Sequence, residues 1–473
     1  MHRHCRRSAN LLLIAWVMLL AACTPAVAPS PPAASPAPPR QPIANGPILL
    51  DDRLHIRRVA AVNPGAIRLR TNPADGLLYL LNPALGLFRL HPTDSTAPTL
   101  VATPEQITPA AAPAGMAFAS DGTLYVVANR RVGKETQAII RRGTPDAAGF
   151  VWATLATTAP YPTSGTPFDH LFNGIVVSPD GATIYVNSGS RTDHGEVQSH
   201  DGAFPNAREQ PLTATVFALP AAALDLHLPN DRAALEAAGY VFAAGMRNAY
   251  DLAFAPNGDL FAVDNGPDAD YPDELNWLRP GLHYGFPWRF GNFDNPVRQP
   301  DYDPATDPLL HPDFVAVNTG LYQADPDFPA PPAAFIDPVL NQGPAAAIMR
   351  TDTGAEADLA QSSGLATFTP HRSPLGLVFA TDPTLPVPFS STATTLSAFV
   401  LSWGAAGGTL SDPGQDLLHL QLYKQPDGYV AQVVQLVRNL DRPIDATMIG
   451  DRLYLLEFGA QATIWEIRFT QAE

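Results

Sequence analysis

Cysteine is nearly absent. The chain of 473 residues has two, Cys5 and Cys23, both near its start. Nothing downstream can form a disulfide, act as a cysteine nucleophile or offer a thiolate to a metal. Cations are also short: 29 Lys and Arg stand against 45 Asp and Glu, for a net charge of −16. Removing residues 1–22 takes away three arginines and no acid, which leaves −19. A surface of that sign repels phosphate backbones, so nucleic acid is not an expected partner. Long hydrophobic runs are missing too. Leu11 to Ala22 falls well short of the ~20 residues of a spanning helix. Helical periodicity is scarce, and Asp231–Ala238 (DRAALEAA) is the best short helix.

At the N-terminus, Arg3, Arg6 and Arg7 precede the short apolar run, which ends Leu20-Ala21-Ala22-Cys23. This is the layout of a targeting segment, residues 1–22, with a lipobox-like junction. Cleavage before Cys23 and acylation of its sulfur would anchor the chain to the cell membrane on the extracytoplasmic side. Residues 23–48 are rich in Pro, Ala and Ser, cannot bury a core, and read as an extended tether.

Residues 49–473 are too long for a single two-layer core. A recurring motif offers another solution: alternating apolar residues, a turn, then a second alternating run. It recurs at Ala66–Asn82, Gly115–Asn129, Gly174–Ser188, Leu252–Asn265, Gly376–Trp403 and Pro443–Glu457. Alternation around Asp-Gly or Asn-Gly is a strong hairpin signal, because those residues tolerate positive φ. Six such hairpins predict an all-β fold, a six-bladed β-propeller of four-stranded antiparallel blades around a central channel. The stretch 290–365, rich in Pro and Asp, reads as a long loop decorating one blade. Ligands of such folds bind where loops converge at the channel mouth, so chemistry is sought there.

Four constellations stand out. Asp169-His170 precedes the third hairpin, and histidine is the side chain best suited to move protons near neutral pH; a surface or capping role is the other reading. The loop leaving that hairpin, Ser188 to Glu196, matches no standard zinc spacing and reads as solvated. Gly245-Met246-Arg247-Asn248 offers a permanent planar cation, suited either to an anionic or quinone oxygen or to bridging blades. Asn265-Gly266-Pro267 with Asp268, Asp270, Asp273, Glu274 and Tyr284 is rich in oxygen ligands of the kind calcium takes, or is an acidic surface loop. Pro370-His371-Arg372-Ser373-Pro374 places another His and Arg at a blade entrance, where bridging between blades is the alternative.

In order and spacing, these motifs resemble the glucose/sorbosone dehydrogenase family, soluble quinoproteins on a six-bladed propeller that use pyrroloquinoline quinone (PQQ) and Ca²⁺. The likeness covers most of 60–470 and is sharpest over GMRNAYDLAFAPNGDLF, DNGPDADYPDELNWLRPGLHYGFPW and DHLFNGIVVSPDGATIYVNSGS. It implies oxidation of an aldose or sorbosone-type sugar by hydride transfer to the quinone, with His170 as base and Arg247 beside the reacting oxygen. Asp169, Arg247, Asn248 and Arg372 would contact PQQ. The carbonyls of Gly266 and Pro267 would hold the Ca²⁺ that bridges to it, and Glu274 and Tyr284 match a further calcium position. The electron acceptor is unspecified.

Two departures accompany the likeness. Ser190 stands where the glucose-oxidising branch has an acid. Trp403 to Gly408 stands where relatives carry basic residues, and no Arg or Lys lies between Arg372 and Lys424, which leaves Arg372 or Arg350 to substitute. Two other readings follow from the same residues: a non-catalytic propeller lipoprotein that binds carbohydrate or protein, and a metal-dependent lactonase.

Overall fold

The computed structural model describes residues 46–471 apart from 94–96, 148, 405–409 and 460. The targeting segment, Cys23 and most of the tether therefore lie outside the described residues, as do Ala405 to Gly408.

Each hairpin read from the sequence is the inner pair of strands of one blade. The innermost strands are Arg68–Thr71, Ala112–Phe118, Phe172–Val177, Ala249–Phe254, Pro374–Phe379 and Pro443–Ile449. Each packs against the next, and the last packs against the first, closing a six-bladed ring. The close fit of neighbouring blades has a sequence cause. A Cβ on Gly115 would stand 1.8 Å from the Asn173 carbonyl oxygen, so only glycine lets blades 2 and 3 approach this far. The starts of the inner strands also meet: Arg68 donates from Nε to Ala114 O (3.1 Å) and from Nη2 to Tyr250 O (2.8 Å). All six therefore begin at one mouth of the channel.

The cores are the interfaces between blades rather than a single centre. One apolar cluster joins blades 2 and 3 through Val127, Ile140, Phe172, Val186 and Phe217; another joins blades 4 and 5 through Phe261, Val263, Phe379, Val400 and Leu420. Alternating residues on each strand feed these clusters, which is why the period-2 pattern was visible in the sequence. Blade 6 takes its outer strand, Leu54–Ala61, from the N-terminal end of the described chain, paired antiparallel with Thr463–Phe469. This strand ties the two ends of the domain together.

The expectation of four strands per blade fails at blade 4, which has three: Ala249–Phe254, Leu260–Asp264 and Glu274–Leu278. After the third strand the chain leaves the sheet. Leu282–His283 pairs in parallel with Val241–Ala244 of blade 3 instead. The Pro- and Asp-rich insertion then follows, and it is more than loop decoration. Val297, Ala316 and Tyr322 form a small apolar core with Phe168, Tyr271, Phe286 and Phe290, so the insertion packs onto the loops of blades 3 and 4. The short helix anticipated around Asp231 is present as Arg232–Ala237, capped by the Asp231 side chain.

Candidate active site

His170 ends the loop that feeds the inner strand of blade 3 and is 7% exposed. Its Nδ1 lies 3.1 Å from Ser190 Oγ, and that hydroxyl donates to Thr192 O at 2.8 Å. With its single proton engaged there, Ser190 accepts from Nδ1–H, which leaves the lone pair of the neutral ring on Nε2. Nε2 has no hydrogen-bond partner among the described residues. Burial, and then the charge of Arg247, hold the imidazole well below its ordinary pKa. At neutral pH it is thus a neutral, oriented base. Ser190 orients the ring without adding charge. Gly189 makes the arrangement possible: a Cβ there would lie 2.4 Å from His170 Cβ and 3.2 Å from Arg247 O.

Arg247 and Asn248 enter from the strand opening blade 4. Both main-chain amides donate to Asp264, at 2.9 and 2.5 Å. The Arg247 side chain donates to Asp193 twice, from Nη2 to Oδ1 (2.7 Å) and from Nε to the carbonyl (2.8 Å). Asp193 is a hub. Its Oδ1 also accepts from Asp268 N (2.9 Å), and its Oδ2 lies 3.0 Å from His194 Nδ1 and 3.3 Å from Tyr322 OH. Burial alone would raise its pKa, but Arg247 and then His194 outweigh burial and keep it ionised. Asn248 Oδ1 accepts from Asn173 Nδ2 (2.9 Å), and Asn173 Oδ1 accepts from Asn187 Nδ2 (2.9 Å). A chain of amides thus links blades 3 and 4 under His170.

The loop Ser188 to Glu196, expected to be solvated, is buried throughout. Most of its polar groups are paired with neighbouring segments: Arg191, for example, donates to the carbonyls of Pro162, Thr163, Gln198 and Ala207. No apolar pattern betrays this burial, because it rests on hydrogen bonds to distant segments of the chain.

The remaining expected residues are placed as follows. Asp169 is next to His170, but its carboxylate caps Ser164 N (2.7 Å) and Gly165 N (3.1 Å), where it holds the turn. Arg372 is locked in an ion-paired triad with Asp412 and Asp416. Arg350 pairs with Asp270, as does His371. Among the described residues, Arg68 and Arg442, at the starts of the inner strands of blades 1 and 6, have no carboxylate partner; Arg68 is buried and donates to the carbonyls of Ala114 and Tyr250. Arg442 is exposed and lies 5.9 Å from the Trp403 ring. It directly precedes the Pro443–Glu457 hairpin, and the sequence reading gives it no role.

Most of the groups expected to hold calcium are engaged within the protein. Pro267 O accepts from Ala269 N (2.8 Å). Glu274 accepts from Gly291 N (2.5 Å) and Asn276 Nδ2 (2.8 Å). Tyr284 OH is spent on Trp277 O (2.7 Å) and Arg279 N (2.8 Å). Burial, then the Asp264 charge, push Glu274 up to about 8, and burial pushes Asp264 up to about 7. Among the described residues no three His, Cys, Asp or Glu groups converge to hold a metal ion. No step is therefore derived through calcium. His170 and Arg247 are neighbours across Gly189, and a partnerless ring nitrogen beside a guanidinium is a donor set that fits a quinone oxygen.

Comparison with known proteins agrees with this geometry. The Glucose / Sorbosone dehydrogenase family model matches residues 111–295, which span blade 2 through the loop after blade 4 and include His170, Arg247 and Glu274. Quinoprotein glucose dehydrogenase B of Acinetobacter calcoaceticus is 26% identical over 242 residues, 45% of this chain and 48% of that protein. The match thus spans about half the length of that curated relative. Among solved structures, the apo soluble aldose sugar dehydrogenase of Escherichia coli aligns with 88% of this chain and 99% of its own (TM-score 0.54, 14% identity). The PQQ domain of pyranose dehydrogenase from Coprinopsis cinerea aligns with 92% and 98% (TM-score 0.54, 13% identity). Both share the fold. The likeness read from the motifs is thus upheld, and the family-model match falls on the blades that carry His170 and Arg247.

Proposed function

We propose that the chain is a PQQ-dependent sugar dehydrogenase that oxidises an aldose or sorbosone-type sugar at its anomeric hydroxyl. The observation that carries this reading is the pair His170 and Arg247: an oriented neutral base beside a permanent cation at one mouth. PQQ, when bound, supplies the two-electron acceptor; Arg247 and Asn248 would hold its quinone end and Arg442 a carboxylate. His170 Nε2 takes the proton of the sugar hydroxyl, while Ser190 keeps the ring in the tautomer that leaves this atom bare. Arg247 places fixed positive charge where negative charge grows, and Asp193 keeps it from swinging away. Burial excludes water from both groups and strengthens their fields.

The test is to titrate PQQ into the purified chain, followed by absorbance and calorimetry, and then to assay aldose-dependent dye reduction. We expect saturable binding and turnover. His170→Ala should still bind PQQ while losing turnover by two to four orders of magnitude, the usual worth of a general base. Failure to bind PQQ would favour a non-catalytic binding propeller, a reading the scarcity of unpaired cations at the mouth supports. The same proposal places the domain outside the cytoplasm, held by lipid on Cys23. Cys23→Ser should then move the protein from the membrane fraction to the soluble one.

A further inference from the structure

The Pro- and Asp-rich insertion reaches toward Arg247 by three routes, and all of them end on Asp193 or His194. Asn295 Nδ2 donates to His194 O at 2.8 Å. Ala316 N, in the short helix Val315–Asn318, donates to Asp268 Oδ2 (2.8 Å), and Asp268 N donates in turn to Asp193 Oδ1 (2.9 Å). Tyr322 makes the third and most direct contact. Its hydroxyl donates to Asp193 Oδ2 at 3.3 Å across 129 residues of sequence. Its ring stacks on His194, with centroids 3.9 Å apart and planes at 19°. Asp193, His194 and Tyr322 are all buried.

The torsion that sets the plane of an aspartate carboxylate is soft, and so is the one that sets an imidazole plane. Their partners must therefore fix both. An ionised carboxylate only accepts, so Tyr322 OH and His194 Nδ1–H both donate to Asp193 Oδ2, while Arg247 Nη2 and Asp268 N hold Oδ1. The stacked tyrosine ring fixes the plane of His194, and His194 with the tyrosine hydroxyl fixes the plane of Asp193. A guanidinium paired to a carboxylate follows that plane. We infer that Tyr322, acting with His194 through Asp193, is a positioning residue for Arg247, so that the insertion completes a site the blades begin. That Arg247 serves a reaction rests on the dehydrogenase reading; that Tyr322 fixes it does not.

The test is side-chain hydrogen exchange. Arg247 Nε donates to Asp193 O at 2.8 Å, so exchange of its proton with solvent reports how firmly Asp193 holds it. It is followed by NMR on the ¹⁵N-labelled purified chain at pH 7, the signal being assigned by its loss in Arg247→Lys. Arg68, whose buried Nε donates to Ala114 O at 3.1 Å, serves as the reference in the same spectrum. We expect Tyr322→Leu to speed exchange at Arg247 by about tenfold and Tyr322→Phe, which keeps the stack, by about threefold, with Arg68 unchanged in both. If Tyr322→Leu fails to fold by circular dichroism, Tyr322→Phe alone decides. The proposal is overturned if Arg247 exchanges in the folded variants as in the wild type, or if Arg68 speeds up by the same factor, which would mark a general loosening. With PQQ bound, the variants should lose cofactor affinity and turnover together; faster exchange with both unchanged would also overturn the positioning role. A wild type that binds no PQQ would sink the dehydrogenase reading and leave the exchange rates to decide this inference.

Discussion

Arg247 and Arg372 hold the same place in the repeat, each two residues before the inner strand of its blade. Both are buried, and both are tied to acids. Yet they do different work. Arg247 meets one carboxylate, Asp193, and spends its other bonds on carbonyls, and its charge is felt at His170. Arg372 meets two carboxylates and is consumed by them. Position in a repeat and residue type therefore do not decide whether a cation is available to a ligand. The number of acids the fold brings to it does.

The sharpest way to break this comparison is Arg372→Met. It leaves Asp412 and Asp416 buried without their cation, and breaking a buried pair from one side costs about 3–5 kcal/mol. Urea unfolding should show that loss. PQQ affinity should stay within a few-fold, because Arg372 is already occupied by Asp412 and Asp416. A large loss of PQQ binding with unchanged stability would mean that the two arginines are equivalent after all.

Asp193→Asn is the counterpart on the other side. It keeps the shape of the hub but removes the charge opposite Arg247, and we expect about 2–3 kcal/mol of lost stability, as when a buried charge loses its partner. Here the cofactor readout should move as well, since Arg247 is no longer fixed. PQQ affinity and turnover should fall together, whereas His170→Ala should affect turnover alone. If Asp193→Asn destabilises without touching PQQ affinity, Arg247 is only a bridge between blades.

Much of this was legible beforehand. All six hairpins lie where alternation and the turn residues put them, because each inner strand buries its faces against neighbouring blades and its pattern cannot drift. His170, Arg247 and Asn248 were legible because they sit at strand entrances, whose position the hairpins fix. What was not legible depends on contacts between distant residues. The Ser188–Glu196 loop looks solvated because its burial rests on hydrogen bonds to 162–163, 198 and 207–209 rather than on apolar periodicity. The acids that occupy Arg372 lie 40 and 44 residues downstream, in a stretch with no motif. The missing strand of blade 4 follows from a local choice, the parallel pairing of Leu282–His283 with blade 3, that no composition signal announces.

The smallest effect we predict separates the two regions by pH. His419 lies in the third strand of blade 5 with its Nε2 2.8 Å from Ser397 Oγ, between the rings of Phe389 and Phe399. Burial, then the nearby Arg53 charge, push it down to about 4. The unfolded chain, where histidine titrates near ~6.5, binds the proton more readily than the folded one. The stability this buried neutral ring contributes is therefore complete above about pH 6.5 and is lost as pH falls toward 4. By pH 5 the loss should be about 1–2 kcal/mol. His419→Gln keeps a hydrogen-bonding group of similar size and cannot titrate. Its urea midpoint should thus fall less than that of the wild type between pH 7 and pH 5. His170 and His283 are depressed in the same direction and remain in both proteins, so the difference between the two slopes isolates blade 5. Equal slopes would mean that acid opens the His170 side first, and that blade 5 with its filled ion-paired triad is not the pH-sensitive half.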